Sequence, residues 1–250
     1  IYFQLLVYNL NTTQSTYILK MSIKIRIKNS LNEKLVKNHV FFTNQDFKIA
    51  AFNKLSIFKH SNFINKSINS NKSNDKNFLS FNIGPTQRIL LIKIKNNQSS
   101  LNIEKVGADF YSYLKSNSFF KSTFYELNIK NANSSNEYFF EEFIHGVELK
   151  SYQFNKYKSK KENKIFEIDI INKSKSFKIS KNKRFKSLIE GTNFTKDLVS
   201  EPGNILHPDE YAKRLLKLKK FGLKVNVYNE VQLRKLGMNA LLGVGQGSIR

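Results

Sequence analysis

The chain has 250 residues, of which 40% are apolar, enough for one large domain or for one domain and part of a second. It contains no cysteine, which excludes disulfides, thiolate zinc sites and a cysteine nucleophile and is typical of a cytoplasmic protein. The formal net charge of +23 is compatible with a nucleic-acid partner, but arginine is scarce and the lysines are scattered, which argues against a dedicated nucleic-acid surface.

The first segment, residues 1–20, is apolar and aromatic but lacks the basic start and the cleavage site of a signal peptide. No apolar run reaches the roughly 18 residues that a membrane-spanning helix needs. Met21 is followed by the alternating residues Ile23, Ile25 and Ile27. We therefore expect translation to begin at Met21 and interpret residues 1–20 as a non-native or disordered leader.

From residue 22 onward, the hydrophobic pattern predicts strands that alternate with helices. Strands are predicted where apolar residues alternate or run together, and helices where they recur every three or four positions. The predicted strands are residues 22–28, 40–42, 78–83, 88–94, 123–129 and 165–171, and the predicted helices are residues 46–55, 101–115 and 137–157.

Three details of this part of the chain give further predictions. Residues 59–77 are dominated by Asn, Ser and Lys, so we expect a mobile surface loop. The pair Gly84-Pro85 predicts a turn between two strands. The run Ile89–Ile92 is apolar at every position, as in a central strand that is covered on both faces.

The order of the elements predicts an α/β domain over residues 21–181, with a mixed, mainly parallel sheet and flanking helices. Residues 183–200 are predicted to form a connecting helix. From residue 201 to 250 the pattern restarts as the beginning of a second α/β domain. Its predicted helices are residues 208–221 and 230–236, and its predicted strands are residues 223–228 and 240–244.

A Pro-Gly turn follows the connecting helix. Glu201 precedes Pro202, which disfavours helical geometry, and Gly203 permits a positive φ. By local chemistry alone, this segment is a chain reversal. The residues that give it a recognisable spacing are Lys196, Asp197, Leu198, Pro202, Asn204, Pro208, Tyr211 and Ala212.

The next helix begins near His207. Pro208 suits the first helical position, and Asp209 and Glu210 favour the positive end of the helix dipole. A metal site built from His207, Asp209 and Glu210 is the alternative, but it lacks any H-x-x-x-H or H-E-x-x-H spacing.

A glycine-rich stretch runs from Gly243 to Ser248 as G-V-G-Q-G-S. It lacks the last glycine of G-x-G-x-x-G and the Lys-Ser/Thr pair of a phosphate-binding loop, so the nucleotide interpretation is weak. A loop at the carboxyl end of a strand is the plain structural alternative.

Together these segments resemble the leucyl (cytosol) aminopeptidases. The similarity is carried by a pattern close to R-D-L-x-x-x-P-x-N-x-x-x-P, and by the V-G-Q-G-S segment that follows Leu236-Gly237-Met238. Thinner similarity lies upstream, in the R-I-L-L-I strand at Arg88–Ile92 and in residues 146–158. Two positions depart from the family: Lys196 replaces an arginine, and His207 replaces a hydroxyl residue.

The resemblance implies an amino-terminal domain shaped like a macro domain, a connecting helix and a catalytic domain that binds two divalent ions, zinc or manganese. It implies peptide substrates, removal of amino-terminal residues and a cytoplasmic homohexamer. In the family, a lysine and several carboxylates hold the ions, and they follow the V-G-Q-G-S segment. Their place would lie beyond Arg250, so no catalytic, metal-binding or cofactor-binding residue is assigned, and this chain is expected neither to hydrolyse leucine anilides nor to bind two metals tightly.

Two rival interpretations stay open. A macro-like binding module for a nucleotide or ADP-ribose would need glycine-rich phosphate loops, which the sequence lacks. A basic nucleic-acid binder should lose affinity steeply with salt. The single histidines His39, His60 and His145 suggest no catalytic triad, and the aromatic residues of 152–157 are expected to lie in the core.

Overall fold

The computed structural model describes residues 23–30, 32, 35–71, 77–95, 97–133, 135–159, 164–172 and 183–247. These residues fall into two compact units, residues 23–193 and residues 194–247. The leader predicted at residues 1–20, the start at Met21 and the domain end near residue 181 lie outside the described residues.

A six-stranded sheet forms the centre of the first unit. Its strands are β1 (Ile23–Lys28), β2 (Asn38–Thr43), β3 (Phe78–Asn82), β4 (Arg88–Lys93), β5 (Lys121–Tyr125) and β6 (Phe166–Ile171). They are arranged in the order β1-β6-β5-β2-β4-β3, and every neighbouring pair is parallel except β3 and β4. The predicted mixed, mainly parallel sheet is confirmed, and so is the turn between its two antiparallel strands.

Strand β4 is buried on both faces, as its continuous apolar run predicts. Leu90 and Ile92 pack into a core on one face of the sheet, whereas Ile89 and Leu91 pack into a second core on the other face. All four side chains are fully buried.

Two helices, α2 (Ser100–Ser116) and α4 (Phe139–Ser151), pack on the first face and approach each other at two glycines. A Cβ atom on Gly107 would lie 2.0 Å from the carbonyl oxygen of Phe143, and one on Gly146 would lie 1.9 Å from that of Glu104. Only glycine therefore permits the observed separation of these helices.

Helix α2 confirms the helix predicted at residues 101–115, but α4 ends six residues before the predicted end at 157. The backbone of Tyr152 leaves helical geometry, with φ −54° and ψ 135°. The following aromatic residues are not core residues: Phe154 is half-buried and contacts Tyr157, which is 52% exposed.

The predicted mobile loop at residues 59–77 is wrong over most of its length, because helix α1 (Ser61–Asn71) occupies it; residues 72–76 lie outside the described residues. Ile64 and Ile68 are one helical turn apart, and both are buried in the second core. Two well-placed isoleucines thus anchor a helix whose other residues are mostly polar.

The helix predicted at residues 46–55 is also wrong. Phe47 and Ala51 have φ values of 61° and 54°, in the left-handed region, so the backbone cannot continue as a right-handed helix. The side chain of Asn44 accepts hydrogen bonds from the backbone N–H groups of Asp46 and Lys48 and forms a turn. Only short 3₁₀ helices follow, at Phe52–Lys54 and Ser56–His60.

The strand predicted at residues 123–129 is confirmed only up to Tyr125, where helix α3 (Glu126–Ala132) begins. Asn128 on this helix is fully buried. Its Oδ1 accepts the backbone N–H of Phe42 at 2.7 Å, and its Nδ2 donates to the carbonyls of Phe42 and Ala50 at 3.0 Å each. One amide side chain therefore completes the backbone hydrogen bonds of strand β2.

A polar row crosses four adjacent strands at one register. Arg26 pairs with Asp169, Asp169 with Thr123, and Thr123 with His39. The carboxylate of Asp169 is only 1% exposed and accepts hydrogen bonds at 2.7 Å from Arg26 and from Lys28. Burial favours its neutral form, but these two cations lower the pKa of Asp169 below its ordinary value.

Candidate functional site

The residues that carry the sequence motifs lie mainly on helix α5 (Lys183–Ser200) and in the second unit. Helix α5 has the predicted bounds. Lys196 and Asp197 lie near its carboxyl end, and burial lowers the pKa of Lys196.

The Pro-Gly turn after α5 reverses the chain as predicted. The carbonyl of Pro202 accepts hydrogen bonds from the backbone N–H groups of Ile205 and Leu206, both at 2.9 Å. Gly203 was expected to provide a positive φ, and this is wrong, because its φ is not positive. An added Cβ at this position would meet no atom within 4 Å. The turn therefore does not depend on glycine at this position.

An ion-pair network ties this turn to helix α6 (Pro208–Leu216). Arg214 donates from Nη1 to Glu201 and from Nε to Glu210, both at 2.9 Å. The side chains of Arg214 and Glu201 are 9% and 2% exposed, so this pair is shielded from water. The sequence reasoning missed Arg214; the only sequence signal was the i, i+4 spacing of Glu210 and Arg214.

The start of α6 agrees with the sequence prediction in part. Pro208 lies in its first turn with Asp209 and Glu210, and His207 is the N-cap residue but makes no capping hydrogen bond with its side chain. The hydrogen bond from Arg214 lowers the pKa of Glu210 despite partial desolvation. Glu210 is thus engaged with an arginine. Within the described ranges, no group of three or more His, Asp or Glu side chains could hold a metal ion.

Beyond α6 the predicted strand at residues 223–228 is wrong, because no strand is found between a 3₁₀ helix (Lys217–Phe221) and helix α7 (Glu230–Lys235). Leu236-Gly237-Met238 ends α7. The N–H of Met238 donates to the carbonyl of Leu233, and that of Gly237 donates to the carbonyl of Arg234, both at 3.0 Å. These bonds and the φ of 72° at Gly237 form a Schellman cap.

The glycine-rich stretch was expected to follow a strand at residues 240–244, and this is wrong. Residues Asn239–Gly245 form helix α8. Gly243 and Gly245 lie inside the helix, and an added Cβ on either would meet nothing within 4 Å. Ser248 lies outside the described residues.

Two of the three histidines of the first unit have side-chain hydrogen-bond partners. His39 is 3% exposed, and its Nδ1 lies 2.5 Å from the hydroxyl of Tyr125. His145 is buried on α4, and its Nδ1 lies 2.9 Å from a carboxylate oxygen of Glu104. His60 is half-buried on a 3₁₀ helix.

Comparisons with known proteins agree on one family. Residues 193–250 match the sequence model described as the cytosol aminopeptidase family, catalytic domain. A probable cytosol aminopeptidase of Phytoplasma mali is 44% identical over 114 residues, which cover 43% of this chain and 23% of that protein. One from Caulobacter vibrioides is 38% identical over 109 residues, which cover 42% of this chain and 22% of that protein.

Solved structures resemble a larger part of the chain at lower identity. A mutant of tomato leucine aminopeptidase matches with a TM-score of 0.63 at 17% identity, covering 86% of this chain and 46% of that one. The bottromycin maturation enzyme BotP matches with a TM-score of 0.56 at 15% identity, covering 86% of this chain and 44% of that one. These matches establish a shared fold, and the chain spans less than half the length of these structures.

Proposed function

We propose that this chain, whose residues 193–250 belong to the cytosol aminopeptidase family, is part of a hydrolase that removes amino-terminal residues from peptides. The observation that carries the proposal is the 44% identity to a probable cytosol aminopeptidase. Because the aligned segments cover less than a quarter of the curated relatives, activity and substrates are proposed for the whole protein.

We also propose the domain organisation that the resemblance implies. Residues 21–181 correspond to an amino-terminal α/β domain, residues 183–200 to a connecting helix, and residues 201–250 to the start of the catalytic domain. The long helix α5 and the six-stranded sheet before it are the features that favour this division.

We further propose that the whole enzyme uses two divalent metal ions. A solved BotP structure with a similar fold is described as a complex with Mn. The described residues of this chain do not fit such a site, since they provide no cluster of three or more His, Asp or Glu ligands. The metal-binding and catalytic residues therefore belong to parts of the enzyme outside the described residues.

What this chain contributes is the framework that leads to the site. Arg214 fixes the turn at Glu201 against helix α6 through buried, charge-assisted hydrogen bonds. The Schellman cap at Gly237 fixes the direction in which the chain leaves α7. Both devices are local and do not require a bound metal.

A cytoplasmic location and a homohexamer are part of the same proposal. The curated relatives are named cytosol aminopeptidases, and the chain contains no cysteine. None of the helices described here has the length and apolar character to cross a membrane. The hexamer depends on the family resemblance, and size-exclusion chromatography with light scattering of the whole protein tests it.

Hydrolysis of leucine p-nitroanilide tests the proposed function. The whole gene product should release p-nitroaniline with added Mn²⁺ or Zn²⁺ and lose this activity with a chelator. The 250-residue chain under the same conditions should be inactive and retain no stoichiometric metal after dialysis. Amidase turnover or two tightly bound ions in the chain alone would contradict the proposed location of the ligands, and an inactive, metal-free whole protein would contradict the peptidase.

A further inference from the structure

We propose that Arg88 forms a binding site for a small oxyanion, a carboxylate or a phosphate, at the outer strand of the sheet in the first unit. The site does not depend on the peptidase proposal. It is a shallow cavity of about 380 Å³ that is widely open to solvent. The residues that line it are Ser80, Phe81, Asn82, Arg88, Asn117 and Phe119.

The guanidinium of Arg88 is held in a fixed orientation. Its Cζ lies 4.4 Å from the centre of the Phe119 ring, so the aromatic ring supports one face of the group. Its Nε donates a hydrogen bond to Oδ1 of Asn82 at 2.9 Å. The backbone of the same residue is anchored by a 2.8 Å hydrogen bond from its N–H to the carbonyl of Lys37.

This orientation leaves the terminal nitrogens Nη1 and Nη2 of Arg88 for a ligand. Within the described part of the chain, Asn82 is the hydrogen-bond partner of the side chain, and no carboxylate forms an ion pair with Arg88. The two nitrogens form the planar fork that binds a carboxylate or phosphate in a bidentate way. Ring support and the Asn82 contact reduce the entropy lost when this fork is occupied.

The surroundings favour a negative ligand. None of the six lining residues is acidic, and the chain carries a formal net charge of +23. Ser80 adds a hydroxyl that lies 2.8 Å from the hydroxyl of Tyr113, so one of the two can donate to a ligand. The amide of Asn82 provides further donors, since its Nδ2 is not engaged with another described residue.

The volume of the cavity is sufficient for a small molecule. Ligand pockets range from about 300 to 1,000 Å³, and this one lies at the small end of that range. The Phe119 ring beside the guanidinium provides an apolar contact for a short apolar group on a carboxylate ligand. A single bidentate contact at an open site gives a dissociation constant of about 0.1 to 10 mM.

Nuclear magnetic resonance on the ¹⁵N-labelled chain tests the site directly. The Arg88 Nε–Hε resonance and the Asn82 amide should shift on titration with acetate, N-acetyl-leucine or inorganic phosphate at constant ionic strength. Leucine amide, which has no carboxylate, should cause no shift. A shift with the two carboxylates assigns the ligand to that class, and a shift with phosphate alone assigns it to phosphate. No shift of Arg88 with any of the three anions would overturn the proposal.

Three variants distinguish bidentate binding by the Arg88 guanidinium from a non-specific effect of positive charge. Arg88→Gln should weaken anion binding at least tenfold, and Arg88→Lys, which keeps the charge and loses the fork, at least fivefold. Arg234→Gln is the matched control, because Arg234 is 62% exposed in the second unit and should leave affinity unchanged. Equal weakening by Arg234→Gln, or wild-type binding by Arg88→Lys, would refute the site. The wild-type titration decides the question even where a variant fails to fold.

Discussion

Replacing Gly146 with alanine should destabilise the first unit, although alanine is the better helix former. In a helix interior, glycine is less favourable than alanine by about 1 kcal/mol, so helix propensity alone predicts a more stable protein. The packing of α2 against α4 predicts the opposite. The sign of the change therefore distinguishes the two effects.

The magnitude follows from the geometry of the helix contact. A Cβ on Gly146 would lie 1.9 Å from the Glu104 carbonyl oxygen, whereas real Cβ atoms essentially never approach within 3.0 Å. The obstacle is backbone, so helix α4 must move away by about 1 Å or more. Overpacking of this kind typically costs about 1–3 kcal/mol, and the backbone contact puts this case near the upper end. We expect a net loss of about 2 kcal/mol after the gain in helix propensity.

Urea unfolding followed by circular dichroism measures this effect. Gly146→Ala and Gly107→Ala should each lower the midpoint, and the double variant should lose less than the sum, because helices already separated by one methyl group accept the second more easily. Gly191→Ala on α5 is the control, since an added Cβ there meets nothing within 4 Å, and it should be neutral or stabilising. A Gly146→Ala protein as stable as the wild type would refute the close approach.

Three further changes have defined outcomes. Asn128→Ala should destabilise the chain by about 2–4 kcal/mol in urea unfolding, because it leaves the buried N–H of Phe42 without its partner. Arg214→Met should cost about 3–5 kcal/mol of local stability, seen as faster amide hydrogen exchange in α6, because the buried carboxylate of Glu201 loses its ion pair with Arg214. Burial raises the pKa of Glu148 to about 7, so the ionised side chain destabilises the folded state above pH 7. Glu148→Gln should therefore raise the free energy of unfolding by about 1–3 kcal/mol at pH 8 and leave it unchanged near pH 4.

The controls for these changes come from the same chain. Asn131→Ala removes an exposed amide contact and should cost less than about 0.5 kcal/mol. Arg234→Met breaks an exposed ion pair and should have a similarly small effect. Equal losses in a variant and its control would disprove the role given to Asn128 or to Arg214. A pH-independent effect of Glu148→Gln would contradict the raised pKa.

The sequence predicted the elements whose burial is regular. The structure has nearly the predicted bounds for strands β1, β4 and β6 and for helices α2 and α5. Apolar residues at every second position, or at helical spacing, indicate an element that is buried on one face. A continuous apolar run indicates a strand that is buried on both faces. The family motifs were also recognised in the sequence, because they are local patterns of residues. Their structural roles were only partly predictable: Gly237 is a helix cap, and Gly203 has no conformational requirement.

The amino-acid sequence by itself determined the class of fold, the mainly parallel sheet and the match of residues 193–250 to the cytosol aminopeptidase family model, because these depend on patterns between near neighbours in the chain. Only the tertiary structure decided what depends on distant partners. Residues 61–71 are helical because Ile64 and Ile68 reach a core, and Arg214 matters because Glu201, 13 residues earlier, lies against it. Two glycines 39 positions apart set the spacing of α2 and α4, since each faces the backbone of the opposite helix.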